Sequence, residues 1–237
     1  MIRFETEHIF QTIGTGSILL NFAPDGQHGC YKKCSFCHWK DWKDLKHMVY
    51  SNEDLIEFCK YNRSAKVSFS GGGDPLWEFD INYPELRRMI DCLKNDCGKE
   101  VEIITTNIQT AVENYENGKL SDCLFCFSIE TISDEIVSLL CRIPKEKMRI
   151  SVLYDPVGNV KKNSEWLEEY IRVYSPYIET ICVRMDYFND TPRSEYTEMR
   201  HKFARYTNVI FMEKCCYQIS LLGDRICTTA DIDELIK

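Results

Sequence analysis

The sequence predicts an α/β fold of parallel strands in a barrel-like sheet that does not close. Strand-like and helix-like segments alternate through six consecutive units from residue 16 onward. Strand–crossover–strand repeats of this kind build right-handed parallel sheets. Two of the strands are also two-faced. In "CLFCFSIE" (123–130), Cys123, Phe125, Phe127 and Ile129 alternate with Leu124, Cys126, Ser128 and Glu130. In "TICVRMD" (180–186), Ile181, Val183 and Met185 alternate with Cys182, Arg184 and Asp186. Polar groups on one face of successive buried strands cost free energy unless that face lines a site. A doubly wound open sheet fits the alternation too, but a sheet with a lined interior gives the polar face a use.

The elements follow in order. "GSILLNFA" (16–23) is the first strand. "SNEDLIEFCKYN" (51–62) is a helix, with Ser51 as N-cap and Asp54 three residues on. "KVSFSG" (66–71) is a strand, and "YPELRRMIDCLKN" (83–95) a helix with Pro84 in its first turn. "VEIITTN" (101–107) precedes a short helix, 110–118, that ends at Gly118. The strand at 123–130 feeds a helix over 133–143 capped by Ser133. "MRISVLYD" (148–155) and a helix over 164–174 follow, then the strand at 180–186 and a helix over 194–206. "VIFME" (209–213) closes the series, and 217–229 reads as a hairpin turning at Gly223-Asp224. No linker or repeat interrupts the chain. Residues 1–237 are read as one domain, with a core of about 15–206 and an extension over 207–237.

Composition narrows the function classes. A net charge of −8 argues against a surface built to track a nucleic-acid polymer. No apolar run approaches the ~20 residues that span a bilayer. The start "MIRFETEHIF" has no signal-peptide core, so the expected location is the reducing cytoplasm, with no membrane partner. Thirteen cysteines there are not a disulfide framework. Cys59, Cys92 and Cys141 read as buried small hydrophobes in helices. Cys215, Cys216 and Cys227 match no auxiliary-cluster spacing and read the same way.

Three further thiols stand apart. "HGCYKKCSFCHW" (28–39) puts Cys30, Cys34 and Cys37 in a C-x3-C-x2-C run on the loop after the first strand. In such folds the carboxyl ends of the strands carry the chemistry. A structural zinc site closes with four ligands, and His38, adjacent to Cys37, is poorly placed to be the fourth. A ferredoxin-type cluster uses four cysteines, and no fourth follows at short spacing. Three thiolates on a four-iron cluster leave one iron open to a ligand.

This run resembles the signature of the radical S-adenosylmethionine enzymes, with Phe36 as the aromatic residue before the third cysteine. "VSFSGGGDPL" (67–76) is similar to that family's glycine-rich motif, with Gly72, Gly73, Asp74 and Pro75 matching. Asp74 stands where glutamate is commoner. "IITTN", ending at Asn107, resembles the third-strand motif, though Ile108 replaces the usual glycine. "FSIET" (127–131) resembles the fourth-strand motif that reaches the nucleoside ribose, with Ser128 matching and Glu130 where aspartate is commoner.

The resemblance, over roughly residues 15–190, implies a partial (β/α)6 TIM-type barrel of parallel strands. It implies one 4Fe-4S cluster on Cys30, Cys34 and Cys37, and S-adenosyl-L-methionine on the open iron. It implies reductive cleavage to methionine and a 5′-deoxyadenosyl radical that takes hydrogen from a small-molecule or nucleotide substrate. An electron donor such as flavodoxin or ferredoxin is the implied partner.

The cofactor-binding set implied is Phe36, Gly72, Gly73, Asp74, Asn107, Ser128, Glu130 and Arg142. Phe36 would pack near the adenine and the glycines would admit the methionine part. Asp74 would brace their turn, and Arg142 would pair with the cofactor carboxylate or form a surface ion pair. The substrate-facing candidates are Arg184, Asp186 and Tyr154, with Asn21, Ser70 and Asp155 as further polar residues. "CSFCHW" followed by "KDWKD" is also reminiscent of the glycyl-radical enzyme activases, which act on a protein partner. A non-enzymatic iron–sulfur or zinc module is the remaining alternative.

Overall fold

The structure, a computed structural model, describes residues 3–4, 18–20, 29–30, 49–61, 64–70, 73–155, 162–185, 193–212, 219–222 and 225–228. It divides into two compact units, residues 1–107 with 215–237, and residues 108–214.

Among the described residues, the first unit is a sheet with two α-helices. Its strands are β1 (Arg3–Phe4), β2 (Ile18–Leu20), β3 (Lys66–Phe69), β4 (Glu100–Thr105), β9 (Ile219–Leu222) and β10 (Arg225–Thr228). They lie in the order β1, β10, β9, β2, β3, β4. The pairs β9–β2, β2–β3 and β3–β4 are parallel, and β9–β10 is the antiparallel hairpin expected around Gly223-Asp224. The register sets Val67 beside Val101 and Phe69 beside Ile103, and all four are buried. The helices are α1 (Asn52–Tyr61) and α2 (Phe79–Asp91). Ser51 caps α1 as expected, accepting from the Asp54 N–H at 3.1 Å.

The helix α2 begins a turn before the sequence suggested. Glu78 takes a left-handed conformation, φ 45°, and reverses the chain into it. The first turn is then drawn in by burial of Phe79 and Asn82, and Asn82 Nδ2 donates to the Trp77 carbonyl at 2.9 Å. Pro84 therefore sits inside the helix rather than in its first turn. Past α2 the chain widens into a turn of π-helix, Cys92–Asp96, with the Cys97 N–H donating to the Cys92 carbonyl.

Among its described residues, the second unit has four strands alternating with four α-helices. The helices are α3 (Ile108–Glu116), α4 (Asp134–Leu140), α5 (Ser164–Tyr174) and α6 (Arg193–Lys202). The strands β5 (Leu124–Ser128), β6 (Met148–Tyr154), β7 (Thr180–Met185) and β8 (Val209–Met212) are all parallel, in sequence order. Register aligns Phe127, Ile150 and Ile181 on one face and Ser128, Ser151 and Cys182 on the other. The first face is the core: those three residues, with Ile129, Val152 and Val183, are almost wholly buried. Ser133 caps α4, accepting from the Ile136 N–H, and Asn163 caps α5 through Trp166. No helix among the described residues is long and apolar enough to cross a membrane.

Candidate functional site

In the first unit the chemistry gathers where β3 ends. Gly29, next to Cys30, forms a parallel bridge with Gly73, and the Asp74 N–H donates to the Gly29 carbonyl at 2.7 Å. Cys30, the first thiol of the C-x3-C-x2-C loop, thus follows a residue bonded to the glycine-rich turn. The approach needs glycine at both places. A Cβ on Gly73 would collide with the Gly29 carbonyl oxygen, and Gly73 has φ +145°. A Cβ on Gly29 would collide with the Trp77 indole.

Asp74 ties this turn to the end of β4. It is 6% exposed. Its Oδ1 accepts from Thr105 Oγ1 at 2.6 Å and from the Leu76 N–H at 3.0 Å. Its Oδ2 accepts from the Thr106 N–H at 2.7 Å and from Thr106 Oγ1 at 2.8 Å. Four donors occupy this carboxylate, which makes it a brace rather than a base. Thr105 Oγ1 also accepts from the Asn107 N–H at 2.9 Å, so Asn107 is set by the same network. Farther down the same strands, buried Glu102 accepts from Ser68 Oγ at 2.7 Å and Lys66 Nζ at 3.0 Å.

In the second unit the polar face continues to the strand ends. Leu153 is in register with Arg184, two residues beyond Ser151 and Cys182, so the two form a row on one face at the carboxyl ends of β6 and β7. Glu130 lies two residues beyond Ser128, past the end of β5. Leu153 is buried, and Ser128 and Arg184 are half-buried. Glu130 Oε2 pairs with Lys162 Nζ. Two buried side-chain polar atoms of the described residues have no partner, Glu130 Oε1 and Arg184 Nε. Native proteins satisfy nearly all such atoms, so each of the two has room for an ordered water or a ligand group. Tyr170 packs below, its hydroxyl donating to the Ile129 carbonyl at 2.8 Å. Burial first, and the charge of Glu130 next, push its phenol well above the usual range.

Tyr154 does not belong to this row, which corrects the expectation that it faces the substrate. It is in register with Met185, on the opposite face from Leu153 and Arg184, because side chains alternate along a strand. Its hydroxyl donates to Glu195 of α6 at 2.9 Å. Arg142 pairs with Glu116 at the surface, Nε to Oε1 at 2.9 Å. Asp155 accepts from the Lys162 N–H at 2.9 Å. Cys34, Phe36, Cys37, His38, Gly72, Asn21, Asp186, Cys215 and Cys216 lie outside the described residues, and Cys227 is described in its backbone alone.

Thr105, Thr106 and Lys162 escape a reading by motif. The two threonines carry a weak signal, adjacent hydroxyls at a strand end. Lys162 carries none, since its partner Glu130 is 32 residues away in the chain.

Comparison with known proteins adds to this geometry. Residues 14–138 match a family described as a 4Fe-4S single cluster domain. The 7-carboxy-7-deazaguanine synthase of Clostridium acetobutylicum is 28% identical over 108 residues, 45% of this chain and 43% of that protein. The match thus spans less than half of that relative. Among solved structures, native anSMEcpe with bound AdoMet and Kp18Cys peptide superposes with a TM-score of 0.53 at 11% identity, covering 82% of this chain and 63% of that one. The same protein with Cp18Cys peptide gives 0.52 at 11% identity, with the same coverage. At this identity the likeness is one of fold, and it bears out the expected α/β class of partial-barrel type.

Proposed function

The chain belongs to the 4Fe-4S single cluster domain family and, with it, to the radical S-adenosylmethionine enzymes, and on that premise we propose that it abstracts hydrogen from a small anionic substrate. The observation that carries this reading is the 2.7 Å bond from the Asp74 N–H to the Gly29 carbonyl, which joins the cluster loop to the glycine-rich turn. Bound together and given one electron by the donor, the cluster and S-adenosylmethionine would supply hydrogen-abstracting 5′-deoxyadenosyl chemistry, with methionine as the leaving group.

The residues present fit that pair. Cys30, Cys34 and Cys37 would be the thiolates for three irons of the cluster. Gly72 and Gly73 would let backbone lie against the methionine part, and Asp74 holds that turn through its four donors. Ser128 and Glu130 would meet the ribose hydroxyls, with Glu130 Oε1 open to accept. The protein's own work is to bind, orient and exclude water. A flavodoxin or ferredoxin would supply the electron.

Arg184 is the residue for the substrate. Its Nε is buried and unpaired, and a guanidinium in that state suits a carboxylate or phosphate. The name of the curated relative gives a carboxylated deazaguanine as that protein's product, an anionic heterocycle that serves here as a probe of the product side of the site. The test uses 7-carboxy-7-deazaguanine as a probe on the anaerobically reconstituted protein. Arg184→Ala is expected to weaken its binding roughly tenfold to hundredfold while sparing slow, substrate-free cofactor cleavage. Equal binding by both proteins would remove Arg184 from the substrate site. A glycyl radical on a co-purified protein would favour the activase instead.

A further inference from the structure

Lys162 is buried, 7% exposed, and no part of the cluster or glycine motifs asks for it. A lysine is rarely buried unless its charge is paired, because desolvating an ammonium is costly. Its surroundings hold it in place from three sides. Its backbone N–H donates to the Asp155 carbonyl at 2.9 Å, in an antiparallel bridge just past the end of β6. Its ammonium lies 5.5 Å from the centre of the Trp166 ring, in the first turn of α5. Its Nζ then pairs with Glu130 Oε2.

The consequence falls on the other oxygen. Glu130 Oε1 is buried and makes no hydrogen bond. A carboxylate with two open oxygens would turn to satisfy both. With Oε2 taken by a lysine that is itself fixed, the plane of the carboxylate is set and Oε1 is left pointing at a ligand. We propose that Lys162 is a positioning residue: it locks the Glu130 carboxylate through Oε2 so that Oε1 stands as an oriented acceptor for a ligand hydroxyl. The inference rests on the reading of Glu130 as a ribose contact and assigns the residue that makes that contact directional. Orientation of a single acceptor before the ligand arrives removes an ordering cost from binding.

The experiment compares two ligands on the reconstituted holoprotein: S-adenosylmethionine and its analogue lacking the 2′ and 3′ hydroxyls. Anaerobic titration gives an affinity for each, and their ratio reports the hydroxyl contacts alone. In the native protein S-adenosylmethionine is expected to bind more tightly. Lys162→Met is expected to lower its affinity roughly tenfold or more and leave the analogue's unchanged, so the ratio collapses. Iron content stays as in the native protein. An equal loss for both ligands, or none for either, would overturn the positioning role.

Glu130→Gln separates this inference from the reading beneath it. If Glu130→Gln leaves the ratio intact, the ribose contact itself fails, and the inference with it. If Glu130→Gln collapses the ratio but Lys162→Met does not, the inference alone fails. Because Lys162→Met strands a buried carboxylate, the pair Glu130→Gln with Lys162→Met serves as the second variant. Acting only through Glu130, Lys162 adds no further loss there, and an added loss would refute the proposal.

Discussion

Asp74 and Gly73 show how much a turn can ask of single residues. Gly73 sits at φ +145° and has the Gly29 carbonyl where a Cβ would go. Gly73→Ala is therefore expected to cost at least about 2 kcal/mol and to part the cluster loop from the turn. Equilibrium unfolding and iron retention after desalting measure the two effects, and a variant with native stability would show that the turn yields. Asp74 is a different case, with both oxygens saturated by Thr105, Thr106 and Leu76. Glutamate, one methylene longer, would drive its carboxylate into the end of β4. That is a physical reason for aspartate in this chain's version of the motif.

At the scale of elements, a cluster of thiols lies against α1. Cys59 on α1, and Cys92 and Cys97 around the π-turn, interact with one another. Burial chiefly, with Cys97 next, pushes the thiols of Cys59 and Cys92 up to about 12. They stay protonated in the folded chain at pH values where unfolded thiols ionise. Raised folded values mean that their contribution is fully present below the ordinary thiol range, near 9, and is lost as pH rises toward 12. Unfolding free energy should accordingly fall with pH across that window, and Cys92→Ala should flatten the slope. Denaturant titrations at several pH values check this, and an unchanged slope would place the titration elsewhere. The same thiols should alkylate slowly near pH 8.

For the molecule as a whole, the family match and the C-x3-C-x2-C loop lead to one number, about four irons per chain. Cys34→Ala or Cys37→Ala should abolish the cluster seen by iron assay and visible absorption. Cys59→Ala should not, since its thiol serves packing under α1. Iron fully retained in Cys34→Ala, or one zinc per anaerobic chain, would refute the three-thiol site.

What the sequence determined by itself was whatever depends on local period and spacing. Alternation of strand and helix signals placed β2 to β8 and the helices between them, because burial on a strand has period two and on a helix 3.6. The cysteine loop, the glycine turn and the polar face with Glu130 and Arg184 were legible for the same reason, as each is a run of neighbours. The start of α2 was not, since it depends on what Phe79 and Asn82 pack against. Tertiary structure alone decided the pairings: four donors on Asp74, Lys162 on Glu130, and Tyr154 turned to α6. Apart from the Leu76 N–H two residues on, these partners come from residues 31 to 41 apart, brought together by crossovers. Where a buried polar group finds its partner is a property of the packed sheet, and no run of neighbouring letters carries it.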